Sequence, residues 1–207
     1  MVKSYYEVKT TLKEKQDFII NDNVVLGINP AINKQKVRKI MLPEEIEIIG
    51  KEAFSELNHL ESIKGKKVFK VEIEGVSRCP ELKLVKFNNL KEIAPFAFAY
   101  NENLKQINVV NAQIIDNYAF AASGLESINI PNVKNINEGA FYECYNLHTV
   151  ANFENKNDNK IKPFKNLRKV EQLAFFRCKN LRNINIDHTK TSIDEKAFEA
   201  TSLTKEL

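Results

Sequence analysis

Apolar residues return along this chain in a single register. An Ala-Phe pair, here called the box, recurs at Ala53-Phe54, Ala97-Phe98, Ala119-Phe120, Ala140-Phe141, Ala174-Phe175 and Ala197-Phe198, with a degenerate copy at Gly75-Val76. Successive boxes start 22, 22, 22, 21, 34 and 23 residues apart. Four residues ahead of each stands Ile49, Val71, Ile93, Ile115, Ile136, Val170 or Ile193. Seven ahead stand Ile46, Val68, Leu90, Ala112, Val133 and Leu167, and only Lys190 breaks the row. Behind the boxes come Leu60, Leu82, Leu104, Leu125, Leu147, Leu181 and Leu203, each followed three residues later, except the last, by Ile63, Val85, Ile107, Ile128, Val150 or Ile184. A unit this short cannot bury its apolar edge alone, so about seven repeats of 21–23 residues must stack into one continuous core.

The segments after the leucines alternate apolar and polar residues, the period of a short strand with one buried face. Leu82–Asn89, Leu104–Asn111 and Leu125–Asn132 fit L-x-x-L-x-L-x-x-N, the leucine-rich repeat signature. Around the box the apolar positions lie three and four apart, which predicts a tight return turn or a brief helix. The expected fold is a curved repeat solenoid of the leucine-rich repeat α/β type, built mostly of short β-strands and turns. Box, period and the cysteines three residues behind the box together resemble the BspA-type leucine-rich repeats of bacteria and some protozoa, over about residues 37 to 204. The resemblance implies a curved solenoid and a surface or secreted protein that binds host proteins or other bacteria.

The first 36 residues do not repeat. Phe18-Ile19-Ile20 and Val24-Val25-Leu26-Gly27 flank the turn residues Asn21-Asp22-Asn23, which predicts a hairpin in an N-terminal cap over residues 1–36, with the solenoid continuing over 37–207. The last repeat is expected to cap itself. The 34-residue interval holds an insertion of about 12 residues beginning at Phe153, and repeat-protein insertions map to loops that often carry function.

Strand side chains alternate, so the residues between the buried ones form rows on an exposed sheet face, with strands about 4.8 Å apart and a span of roughly 30 Å. One row is Ser62, Leu84, Gln106, Ser127, Thr149 and Asn183; the next is Lys64, Lys86, Asn108, Asn129, Ala151 and Asn185. Gln106, Asn108, Ser127, Asn129, Thr149, Asn183 and Asn185 are the candidate contacts, polar and uncharged, suited to a protein or glycan surface. The insertion region 153–169 offers a second candidate through Lys156, Lys160, Lys162, Lys165, Arg168 and Lys169, with Phe164 as an exposed aromatic; such a loop could meet nucleic acid or an acidic protein.

Charge adds little, since 31 lysines and arginines against 27 acids leave a net +4, far from the strongly basic balance of a dedicated nucleic-acid binder. The N-terminal residues lack the apolar core of a secretory signal, and no stretch approaches a membrane span. A native start at Met1 therefore predicts a cytoplasmic protein, and a signal peptide removed from ahead of it would predict a secreted or cell-surface one. Cys79, Cys144 and Cys178 are an odd number, widely spaced and in repeat register, which predicts buried core positions rather than disulfides or metal ligands. A Cys144–His148 nucleophile pair would lack an orienting third group. No Gly-x-Gly-x-x-Gly, Walker, H-E-x-x-H or Gly-x-Ser-x-Gly motif is present, so no catalytic residue, metal or cofactor is expected.

The reading is a non-catalytic, monomeric module that binds a protein partner through the sheet face without inserting into a membrane. The alternatives are a BspA-like surface adhesin, or an intracellular regulator of a nucleic-acid machine or other nucleoprotein acting through the basic loop.

Overall fold

The protein's structure, a computed structural model, describes residues 10–153 and 160–203. Lys156 and Thr204–Leu207 lie outside the described residues. The leucine-rich strands lie on one side of the solenoid. Val37–Met41, Ser62–Gly65 and Leu84–Phe87 pair in parallel, with Ile40, Ile63 and Val85 in one row. Thr10–Leu12 adds an outer strand against Val37–Ile40. A bridge from Val85 to Ile107 carries the column on, and Ser127–Asn129 pairs with Thr149–Ala151, which bridges to Asn183.

A longer sheet lies where a turn or brief helix was expected. The residues at and just ahead of the row four before the box form two-residue strands, Ile48–Ile49, Lys70–Val71, Glu92–Ile93, Ile114–Ile115, Asn135–Ile136, Lys169–Val170 and Ser192–Ile193, parallel and in register. The antiparallel hairpin Phe18–Asn21 with Val24–Ile28 continues this sheet, Val25 pairing beside Ile49. A two-residue strand has a single inward side chain and hence no alternation to read, so only its neighbours reveal it.

The box itself is a turn because its N–H groups leave the repeat. Glu52, Phe54 and Glu56 donate to the carbonyls of Ile73, Gly75 and Ser77 at 3.0, 2.9 and 3.1 Å. The same triple recurs at every junction, ending with Leu173, Phe175 and Arg177 donating to Lys196, Ala197 and Glu199. Holding the peptide planes this way requires positive φ at two positions per box, as at Glu52 and Glu56, Phe96 and Tyr100, or Leu173 and Arg177. A left-handed non-glycine residue costs about 1–2 kcal/mol, offset by inter-repeat hydrogen bonds contributing about 1 kcal/mol each. Glycine takes one of these positions at Gly139, where φ is +57° and an added Cβ would stand 2.3 Å from Cε1 of Tyr118.

Inside, the box phenylalanines stack through the solenoid. Phe98, Phe120, Phe141, Phe175 and Phe198 lie nearly parallel, with successive ring centroids 5.5, 5.6, 5.2 and 5.0 Å apart. Phe18 from the hairpin meets Phe54 edge-on at 6.2 Å and closes the front of the core. Asn101, fully buried three residues behind its box, donates to the carbonyls of Val76 and Phe98 and accepts from the Cys79 amide at 2.9 Å.

Phe141→Ala opens a hole in the aromatic stack and is expected to cost about 3–5 kcal/mol. Asn101→Ala strands an amide and two carbonyls and should cost about 1–3 kcal/mol. Urea unfolding of both variants, beside an exposed control such as Lys83→Ala that should stay within about 0.5 kcal/mol of wild type, checks the ranking.

Candidate interaction surface

The strand face presents the two expected rows. Lys39, Ser62, Leu84 and Gln106 follow one another in register, as do Met41, Lys64 and Lys86. Further along, Ser127 lies beside Thr149 and Asn129 beside Ala151, whose side chain is buried. The structure separates the candidates into engaged and uncommitted groups. Asn129 grips the start of the insertion: its Oδ1 accepts from the Phe153 amide at 2.8 Å and its Nδ2 donates to the Phe153 carbonyl at 3.1 Å. Asn185 donates to the Ile161 carbonyl at 3.2 Å and holds the returning segment of the insertion. Asn183 donates to Oγ1 of Thr149, which also lies 2.9 Å from Nδ1 of His148. Among the described residues, the side chains of Gln106 and Ser127 have no hydrogen-bond partner, and Asn108 has only a long contact from the Val110 amide at 3.5 Å. These three form the free polar centre of the face.

The insertion differs from expectation at its aromatic. Phe164, read as exposed, is 1% exposed. Counted ten residues back from the box alanine it falls in the column of Phe87, Val109 and Ile130, all buried, so the apolar core claims it. Asn152 is buried just before the loop and donates to the Pro163 carbonyl at 2.8 Å, tying the neck. The loop's cations are partly engaged as well. Arg168 donates to the Lys165 and Leu167 carbonyls, and Lys169 pairs with Glu171 at 2.7 Å; Lys160 is exposed and Lys162 half-buried.

Two surfaces escaped the sequence reading. The short-strand sheet has an outer face of its own, where Ile114 is exposed above a depression of about 560 Å³ lined by Lys70, Glu92, Gln113 and Asp116. Beside the boxes, half-buried Phe96, Tyr118, Tyr142 and Phe176 form a row of rings across four repeats, with centroids 5.2, 5.9 and 5.0 Å apart, stacked in the first and last pairs and tilted in the middle one. The available signal was positional: Phe96 and Tyr118 immediately precede a box, and Tyr142 and Phe176 immediately follow one.

The family profile of the BspA type leucine rich repeat region matches residues 30–148 and 150–206 in six copies. The chain belongs to this family. Among solved structures, a leucine rich repeat protein of T. pallidum superposes with a TM-score of 0.71 at 18% identity, covering 84% of this chain and 81% of that one. A leucine rich cell surface protein of Faecalibacterium prausnitzii is 20% identical with a TM-score of 0.47, and the match spans 86% of this chain but 38% of that one. A Bacteroides ovatus leucine-rich repeat protein is 18% identical with a TM-score of 0.41, over 92% of this chain and 64% of that one. The T. pallidum likeness shows the shared fold. No curated protein matches.

In this BspA-type solenoid the three thiols serve the core. Cys79, Cys144 and Cys178 are fully buried and donate to the carbonyls of Phe54, Phe120 and Phe141, one repeat earlier. His148 turns instead to Thr149 on the exposed face, so Cys144 and His148 make no nucleophile pair. Among the described residues no group of three His, Cys, Asp or Glu side chains could hold a metal ion, and no helix is long and apolar enough to cross a membrane. Burial pushes the Cys79 thiol up to about 12 and Cys144 up to about 11, and raises Cys178 likewise.

A folded pKa above the unfolded value of roughly 8.5 means that the thiols' contribution to stability is complete below that pH and is lost as pH rises through 11 to 12. Folded protein at pH 8 should therefore leave an aromatic disulfide reagent unreacted, and unfolding in urea should release three thiols. Fast labelling of the folded chain would contradict this placement.

Proposed function

We propose that this protein is a non-catalytic module that captures a protein partner on the strand face of its solenoid, centred on Gln106, Asn108 and Ser127 and acting as a monomer. The observation that carries the reading is the split between engaged and free side chains. Polar residues at the repeat junctions are consumed in bonds between repeats, as at Asn101 and Asn132, whereas the centre of the strand face keeps its donors and acceptors uncommitted. Solenoids present such rows as extended binding surfaces. Thr149, Asn183, Asn129 and Asn185 border this centre, Asn129 and Asn185 through the insertion that they hold and Asn183 through its bond to Thr149. The segment 1–36 acts as the cap and 37–207 as the binding body.

Family membership supports a second reading, in which the same face acts at a cell surface as an adhesin. The basic loop is the weaker site, because Phe164 is unavailable for stacking on a base and Lys169 already has a carboxylate partner.

A photo-crosslinking residue placed at Gln106 or Asn108 should yield a covalent protein adduct in native-source lysate or extracellular extract, while the same residue at Gln172, on the opposite side of the repeat, should not. The triple variant Gln106→Ala, Asn108→Ala, Ser127→Ala should weaken capture by roughly tenfold or more at unchanged thermal midpoint. Capture lost only when residues 155–163 are deleted would move the site to the basic loop.

A further inference from the structure

The front half of the strand face differs from the rest in charge. Lys64 and Lys86 stand directly opposite each other on neighbouring parallel strands, and Lys39 lies across from Ser62 in the adjoining row. All three lysines are exposed, and among the described residues none joins an ion pair. Some lysines elsewhere on the solenoid find acids, Lys66 pairing with Glu44, Lys70 with Glu72 and Glu92, and Lys105 with Glu126, while Lys83 and Lys91 stand without one among the described residues. The two rows from Lys39 to Gln106 and from Met41 to Asn108 contain no carboxylate. Like charges directly opposite on a sheet repel, so this arrangement does nothing for the fold.

Apolar surface is interleaved with the charge. Met41 is 49% and Leu84 45% exposed, although each sits on a strand whose inward neighbours are buried. A depression of about 270 Å³ opens between Met41, Leu42, Lys64, Lys86 and Asn88. We propose that this half of the face binds an acidic protein segment, its carboxylates against Lys64 and Lys86 and an apolar side chain in the depression beside Met41. The inference rests on the strand face being the interaction surface and names the chemistry of what it takes.

Protein is favoured over nucleic acid on the residues present. The rows hold no aromatic ring to stack on a base. A phosphate backbone or sulfated glycan would leave Met41 and Leu84 without an apolar counterpart. An acidic segment with leucine-like side chains satisfies the charge and covers the exposed apolar area together.

The test uses fluorescence anisotropy of the full chain with four labelled probes: an alternating Glu/Leu peptide, polyglutamate, single-stranded DNA and a heparin oligosaccharide. The Glu/Leu peptide should bind best, weaken as salt rises, and lose roughly tenfold or more in affinity on Lys64→Glu with Lys86→Glu. Lys64→Arg with Lys86→Arg should retain binding, and Leu84→Ser should weaken the Glu/Leu peptide but not polyglutamate. The inference is overturned by an absence of peptide binding, by indifference to charge reversal, or by tighter binding of DNA or heparin. Crosslinking at Gln106 distinguishes the two levels. Native capture that survives charge reversal but fails in the Gln106, Asn108, Ser127 variant keeps the interaction face and removes the acidic partner; capture that survives both variants removes the face itself.

Discussion

The structure depends on box amides that donate forward into the next repeat. A buried N–H must find an acceptor, and in each box but the last the three that point along the solenoid axis find it in the carbonyls of the following box. That demand explains why residues as unlike as Glu52, Phe96, Tyr118 and Leu173 all occupy left-handed backbone. It also explains why the box packs a small residue beside a large one: the alanine lets adjacent turns approach to hydrogen-bonding distance while the phenylalanine fills the interior. The two features sustain each other, since the ring spacing of 5.0–5.6 Å and the bonds of 2.7–3.3 Å both require the same close stacking of turns.

The same constraint shows how the 34-residue interval is accommodated. Gly139, Phe141 and Glu143 still donate to Gln172, Ala174 and Phe176, and Val150 still donates to Asn183 at 2.8 Å. The extra chain leaves after Asn152 and returns at Phe164, which takes the core place that the next repeat needs. Neither ladder is interrupted, so the stacking of the turns on either side of the insertion is preserved.

A repeat architecture turns every side-chain position into a row, and function then depends on which rows are left uncommitted. At the box junctions, polar side chains are bound to neighbouring turns; Asn101 and the three cysteines are of this kind. On the strand face the rows end in open solvent, with lysines and two exposed apolar residues at the front and neutral amides at the centre. The face is thus graded along the axis, from charged and apolar at the front to neutral and polar at the centre.

The sequence by itself determined the register: the seven box positions, the apolar columns four and seven residues ahead, and the inward placement of Cys79, Cys144 and Cys178. Phe164 was also legible, because counting back from Ala174 places it with Phe87 and Ile130, but counting forward from Leu147 places it in a loop, and the insertion makes the two counts disagree. Tertiary structure alone decided the nine-stranded sheet, the left-handed box residues, the half-buried aromatic row beside the boxes, and the engagement of Asn129 and Asn185 by the loop. The reason is physical. Periodicity along one chain states which side chains face inward, whereas hydrogen-bond partners are supplied by neighbouring turns 21–34 residues away, so which polar groups remain free is known only once the turns are stacked.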